Sequence, residues 1–159
     1  MKKQLLLLST VFLCHLVFAV SGPAYNWAGS IGGIGNDFVK AVKTDAAGNV
    51  YVTGNYVGTD VDFDFGSDTT TLSSLGSLDI FLAKYSSSGQ LIWVKSIGGA
   101  DAEEANDLAI DQAGNVWITG YFQGTADFNP LANANNLNAA GGNDIFLAKY
   151  DASGNYLWS

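Results

Sequence analysis

Arginine is missing from this chain, and its one cysteine (Cys14) and one histidine (His15) both lie within the apolar stretch that opens it. The opening residues, MKKQLLLLSTVFLCHLVFAVSG, join Lys2 and Lys3 to an apolar run from Leu5 to Val20 and then to small residues. That is the plan of a secretory signal peptide over residues 1–21, cut after Ser21, with Ala19 and Ala24 as other cleavage points. A membrane anchor needs about 20 apolar residues, and this run is shorter and broken by His15. A lipoprotein anchor needs small residues just ahead of Cys14, where Phe12 and Leu13 stand.

Removing 21 of the 159 residues leaves 138, with 5 lysines against 15 acidic side chains and a net charge of −10. The remaining chain has no Cys, His or Arg. Ser-His-Asp and Cys-His nucleophiles, His-ligated zinc, disulfides and arginine clamps on phosphate are therefore excluded. An acidic surface without basic clusters argues against nucleic acid and anionic membrane as partners. The expected location is secreted or at the cell surface, with no membrane insertion after cleavage. Stability must come from packing in one modest domain, or from bound cations.

Long helical patterns are also lacking outside the leader, and what replaces them is a repeat. Trp27, Trp93 and Trp158 are spaced by 66 and 65 residues, and Ile31-Gly32-Gly33 returns as Ile97-Gly98-Gly99. Gly58-Thr59 maps to Gly124-Thr125, but Asp62-Phe63 maps to Asp127-Phe128 one residue early. DIFLAKY at 79–85 then recurs letter for letter at 144–150. The units are a lone outer-strand segment at 22–33, repeat 1 at 34–99 and repeat 2 at 100–159.

Within a repeat, β-branched and aromatic residues between turn residues predict four strands, roughly Val39–Thr44, Asn49–Tyr56, Asp79–Tyr85 and Gln90–Ile97. Strands one and two are joined by Asp45-Ala46-Ala47-Gly48, strands three and four by Ser86-Ser87-Ser88-Gly89. The second repeat uses Asp111-Gln112-Ala113-Gly114 and Asp151-Ala152-Ser153-Gly154. A short polar side chain, two permissive residues and then Gly suits a type I turn closed by a left-handed glycine.

In DIFLAKY, Ile80 and Leu82 point one way while Phe81, Ala83 and Tyr85 point the other, so both faces are apolar. A sheet with one wet face would alternate polar and apolar residues. Four antiparallel strands covered on both sides describe a β-propeller blade wedged between neighbours. A β-sandwich is the alternative, since its sheets each need one buried face. Propellers close with about 4 to 8 blades. Two blades leave apolar faces open, so the expectation is an all-β, incomplete propeller: part of a longer chain, or a half-ring that self-associates.

Taken in order, W-x3-IGG (Trp27–Gly33), D-x-x-GN-V-[YW]-[VI]-TG (Asp45–Gly54), G-T, one or two residues, then DF (Gly58–Phe63) and G-x-x-DIFLAKY-x-x-SG-x-L-x-W (Gly76–Trp93) resemble the bacterial SBBP family of β-propeller repeats. The resemblance runs through both copies and covers essentially all of the chain after the leader. It implies a propeller in a secreted or surface protein, often a large one of the Bacteroidetes with further modules, and no settled catalytic residues. Where that family often has Asp-Phe-Asp-Pro-Gly, this chain has Asp62-Phe63-Asp64-Phe65-Gly66 and Asp127-Phe128-Asn129-Pro130.

Asp60, Asp62 and Asp64 alternate as calcium ligands would, and Asp127 and Asn129 occupy the matching places of repeat 2. The run is not an EF-hand loop, whose Gly directly follows the third ligand and whose twelfth position is Glu; here Gly66 is one place late and the twelfth position is Thr71. The competing expectation keeps these acids in water while Val61, Phe63 and Phe65 pack inward. Calcium is the single cofactor the sequence suggests. Asp101, Glu103, Glu104 and Asp107 form a second acidic cluster, matched in repeat 1 by Asn36-Asp37 and neutral neighbours. Paired carboxylates there would suit glycoside hydrolysis, but a solvated loop entering strand one accounts for them more simply.

Asn55-Tyr56 and Tyr121-Phe122 open the long connections from strand two to strand three, where a binding surface for a protein or carbohydrate ligand is expected. The Trp and Tyr residues at fixed repeat positions are expected mainly to fill gaps between blades. The functional expectation is a secreted, non-enzymatic scaffold or binding module that presents residues 55–78 and 121–143. The alternative is a carbohydrate-active enzyme with acids drawn from several blades.

Overall fold

The computed structural model describes residues 26–129 and 134–159, so the leader, its cleavage sites and Pro130 lie outside the described residues. The first repeat forms β1 (Phe38–Thr44), β2 (Val50–Tyr56), β5 (Asp79–Tyr85) and β6 (Leu91–Gly99), with a small hairpin of β3 (Val61–Asp62) and β4 (Thr71–Leu72) between β2 and β5. The second forms β7 (Glu103–Ile110), β8 (Val116–Phe122), β11 (Asp144–Tyr150) and β12 (Tyr156–Trp158), with β9 (Thr125–Asp127) and β10 (Asn136–Asn138) as the matching hairpin.

All pairings are antiparallel. The first sheet runs β1-β2-β5-β6 and the second β7-β8-β11-β12. β6 does not end with its own sheet: Gly98 and Gly99 pair with Asp127 and Ala126 of β9, carrying the ladder on into the second hairpin. The lone N-terminal segment repeats the arrangement, with Gly32 bridging to Asp62 of β3. It therefore sits where the tail of a preceding outer strand would. Among the described residues there are two such sheets and no closed ring.

The four turns follow the sequence expectation. Gly48, Gly89, Gly114 and Gly154 have φ of 81°, 85°, 80° and 77°, a region L-residues with a Cβ rarely adopt. Each Gly N–H donates to the carbonyl of the first turn residue, which closes the three-residue hairpin loop. The strand bounds agree with the predicted ones to within two residues. The hairpins β3–β4 and β9–β10 are additions, inside what the sequence presents as long connections.

Both faces of β2 and β5, the middle strands of the first sheet, are buried, as the apolar alternation requires, whereas β1 is largely exposed. Ile80, Leu82, Tyr51 and Ile97 pack against Leu108, Val116, Ile118, Phe146 and Tyr150 of the second sheet. Phe81, Ala83, Tyr85, Val52 and Tyr56 pack the other way, onto Val61 and Phe63 of the hairpin. β7 lies across the first sheet, against β1, β2 and β5. Bulges at Lys40 in β1 and Asn106 in β7 fall at the same repeat position.

Candidate functional surface

The hairpins are built from residues that repeat at the 65-residue offset. Asp62 Oδ1 accepts the N–H groups of Asp64 (3.0 Å) and Thr70 (3.1 Å), tying the two ends of the β3–β4 loop together. Asp127 Oδ1 accepts those of Asn129 and Asn135, each at 2.8 Å. The next residue, Phe63 or Phe128, is fully buried. Its carbonyl accepts the hydroxyl of Tyr85 (2.9 Å) or Tyr150 (2.8 Å). An Asp-Phe pair thus locks each hairpin to its sheet, the Asp by backbone hydrogen bonds and the Phe by burial.

This geometry places the calcium candidates. Asp62, Asp64 and Asp127 spend carboxylate oxygens on backbone N–H groups; Asp64 Oδ1 accepts Gly66 N–H at 2.8 Å. Asp60 is exposed with φ 56°, its N–H bonded to Ser73. Asn129 is partly buried in the turn that Asp127 holds. Among the described residues no three His, Cys, Asp or Glu side chains converge as a metal group.

Of the expected ligand contacts, Asn55, Tyr56 and Phe122 are interior, with 0%, 0% and 3% exposure. Asn55 Oδ1 accepts Ala105 N–H across the two sheets at 3.0 Å. Tyr56 hydrogen-bonds Ser96 Oγ at 2.6 Å and meets Phe63 edge to face. Phe122 meets Phe128 in the same way. A ligand arriving from solvent cannot touch these three, because strand ends adjacent to a loop here point into the core. Tyr121 alone stays partly open, its hydroxyl bonded to Glu104.

A rim gathers the loops near residues 32–37, 57–60, 73–78, 99–103 and 122–125. Backbone bonds Ser77 N–H to Asp101 O, Glu103 N–H to Leu78 O and Gln123 N–H to Ala102 O stitch it together. Ile34 and Leu75 stand out of it, 102% and 73% exposed. Two kinds of carboxylate brace it from below, and their recurrence is the signal that sequence reasoning passed over. Asp37 Oδ2 and Glu103 Oε2 accept the N–H of Gly33 (3.1 Å) and Gly99 (2.8 Å), four residues before each. Asp79 Oδ2 and Asp144 Oδ2 accept the N–H of Leu75 (3.0 Å) and Ala140 (2.8 Å).

Burial pushes the Asp79 carboxyl up to about 6, against hydrogen bonds from Leu75, Ser96 and Gly76. Burial likewise raises Glu103 to about 7, helped by the nearby charges of Asp79 and Asp101. Its Oε1 has no hydrogen-bond partner among the described residues. Glu104 is opposite in character: the Tyr121 hydroxyl, with Lys40 at 3.2 Å, outweighs desolvation and holds it below the usual carboxylate range. Successive strand residues face opposite sides, so Glu103 lies in the junction between sheets and Glu104 on the side of Lys40 and Tyr121. Asp107 reaches Lys43 at 3.9 Å, and Asp101 packs on Gly124.

The outer edge carries a further repeated contact. Trp27 Nε1–H donates to Ser87 O (3.1 Å) with its ring over Gly89, and Trp93 Nε1–H donates to Ala152 O (3.3 Å) with its ring over Gly154. Each Trp therefore fastens onto the outer turn of the following sheet. Trp158 is the third of this series and is 42% exposed.

No family model matches the chain. It is 30% identical over 133 residues to an uncharacterized WD repeat-containing protein of Acanthamoeba polyphaga mimivirus, across 74% of this chain and 9% of that protein. It is 29% identical over 121 residues to the regulatory protein FlaEY of Caulobacter vibrioides, across 76% of this chain and 12% of that protein. The chain thus spans about a tenth of the length of the curated relatives it matches. With the two like sheets, these matches define a tandem-repeat, all-β protein.

Proposed function

We propose that the chain is a pair of β-propeller blades in a secreted, non-enzymatic protein that holds binding loops at or outside the cell surface. One observation carries the reading. The clasps, turns and Trp contacts that build the sheets recur residue for residue in both repeats, whereas the rim loops within 55–78 and 121–143 differ in sequence and length. A framework kept constant beneath unequal loops is how a rigid scaffold presents a binding surface. Likeness to a WD repeat protein favours blades over a sandwich, and the apolar leader favours export.

Catalysis by the acidic cluster finds little support in the geometry. Glu103 and Glu104 face opposite sides of β7, and Asp62, Asp79 and Asp127 cap backbone turns. The rim instead offers exposed Ile34, Leu75, Asp60 and Asp101, a surface suited to a protein or carbohydrate ligand. The test is a binding and turnover screen against polysaccharides and host-surface proteins. Capture of a ligand without turnover, weakened at least about tenfold by Ile34→Ser with Leu75→Ser, is the expected result, since hot-spot apolar contacts carry binding energy on that scale. Turnover of any polysaccharide would sink the non-enzymatic reading. N-terminal sequencing of the exported chain should begin at Gly22; a retained leader would remove the secreted assignment.

A further inference from the structure

Two carboxylates are sealed into the junction between the sheets with half of their hydrogen-bonding capacity unused. Asp79, at the start of β5, and Glu103, at the start of β7, are both 0% exposed. They close on one glycine pair: a methyl at Gly98 would collide with the Asp79 carboxyl, and Glu103 Oε2 accepts the N–H of Gly99. The backbone joins them as well, since Glu103 N–H donates at 2.8 Å to the carbonyl of Leu78, the residue before Asp79. Asp79 Oδ2 accepts the N–H of Leu75 and the hydroxyl of Ser96 (3.4 Å). The second oxygen of each group, Asp79 Oδ1 and Glu103 Oε1, is buried and meets no donor among the described residues. No lysine pairs with either group: the ion pairs of the described residues join Lys40, Lys43, Lys84 and Lys149 to Glu104, Asp107, Asp45 and Asp111.

A buried carboxylate without a counter-charge is unfavourable, and such a group in a folded protein takes up a partner, a metal or a proton. The repeat shows which property of the position is kept. Glu103 stands where repeat 1 has Asp37, one methylene shorter. Each sets one oxygen on a glycine N–H four residues back, while the other, Asp37 Oδ1 or Glu103 Oε1, is left without a donor. Asp79 and Asp144 likewise both brace the N–H four residues back. The amide oxygen of Asn or Gln would brace a single N–H as well, yet what recurs is a negative charge, even where side-chain length changes. Asp101, two residues before Glu103, adds a third charge whose field reaches it. The described residues contain no His or Cys, so every ligand available here is an oxygen, which suits a hard cation rather than a transition metal.

We propose that Asp79 Oδ1 and Glu103 Oε1 hold a calcium ion between the two sheets, just beneath the rim. Two carboxylates are fewer than the three that would mark a preformed cluster. Backbone carbonyls and water complete the coordination, which calcium accepts in flexible geometry where magnesium demands a near-ideal octahedron. The route in is short, because the neighbouring loop residues Leu75, Gly76, Ser77, Ala100 and Asp101 are all exposed. This ion is distinct from one at Asp60, Asp62 and Asp64, which lie on the hairpin side of the first sheet. β5 and β7 belong to different sheets, so a cation here clamps the two together where the loops at 73–78 and 99–103 spring from them. The site stands whether or not the rim above it binds a ligand.

The experiment titrates calcium chloride into the protein after a chelator has stripped it. At about pH 8 the ion should bind at about one per chain and raise the Tm by several degrees. Protons compete for the same oxygens, so at about pH 5 the affinity should fall at least about tenfold. Because burial raises Glu103 to about 7, binding near neutrality should release protons, read calorimetrically as a heat that varies with the ionisation enthalpy of the buffer. Asp79→Asn and Glu103→Gln should each weaken calcium binding at least about tenfold. In chelator at about pH 8 both should be no less stable than the original chain, since each removes a buried charge that has no partner. Asp60→Asn combined with Asp64→Asn should leave the affinity unchanged. No calcium effect at about pH 8 would overturn the proposal and leave a proton as the occupant of the pair. Binding that survives Asp79→Asn and Glu103→Gln, or that releases no protons, would overturn it equally. If either variant fails to fold, proton release by the original chain decides.

Discussion

An ionised carboxylate can only accept hydrogen bonds, and a turn that displays several N–H groups is a natural place for one. Asp45, Asp111 and Asp151 each accept the N–H of the residues two and four ahead and the side-chain amide of the Asn at the fourth place. Replacing Asp45 by Ala removes three such bonds; a loss of about 1–2 kcal/mol in chemical denaturation is expected. The Asn115 amide, with the N–H groups of Asn115 and Ala113 and with Lys149, outweighs desolvation and depresses Asp111 to about 2. A carboxyl depressed in the folded state stabilises above its unfolded value near 4, and that help disappears as pH falls toward 2. Asp111→Asn should flatten this acid limb of the stability curve. Asp79 and Glu103 act in the opposite sense. Their raised values favour the folded state most when both groups are protonated, below about pH 4, and that contribution is lost as pH climbs through about 6 and 7. Melting between pH 4 and 8 should show a decline on the order of 1–3 kcal/mol, reduced in Glu103→Gln; an unchanged slope would mean that the pair is not buried as described.

At the scale of elements, most of the architecture was legible because a tandem repeat supplies its own control. DIFLAKY twice over exposed the two apolar faces, and four turns of one pattern placed the left-handed glycines. The β3–β4 and β9–β10 hairpins were not legible, because strands of two or three residues leave no period to detect; their sole trace was the recurring Asp-Phe. The burial of Asn55, Tyr56 and Phe122 was missed for a related reason. Sequence marks where a strand meets a loop but not that the neighbouring hairpin folds back to cover its end. The outer turns give a sharp test. A methyl at Gly154 would come within 3.0 Å of the Trp93 ring at φ 77°. Gly154→Ala should cost about 1–2 kcal/mol from the backbone alone and shift Trp emission toward the solvent-exposed maximum. Ala at Gly141, where a Cβ meets nothing within 4 Å, should leave both unchanged.

Across the whole molecule the same residue type occupies one position in two repeats with opposite exposure, and this separates packing from propensity. Leu82→Ala empties a site in the junction and should destabilise by about 2–5 kcal/mol. Leu147→Ala, where the side chain is 46% exposed, should cost less than about 1 kcal/mol. Equal losses would mean that the two sheets do not meet as described. The candidate surface was less legible than the fold, because the bracing bonds of acids such as Asp62, Asp79 and Glu103 leave no mark in the sequence and its exposed apolar residues, Ile34 and Leu75, carry no motif.

β6 belongs to one sheet by its first half and to the next by Gly98 and Gly99. Such a strand works as a staple under tension. A force that tries to peel the repeats apart loads the two residue pairs at Gly98 and Gly99 together with the packing of Ile80 and Leu82 against the second sheet. Neither repeat can be melted without stripping the other of part of its edge, so heat should remove both in one cooperative step, and the segment before β1, whose strand ladder to the first hairpin is the single bridge at Gly32, is the first place that a pull should open.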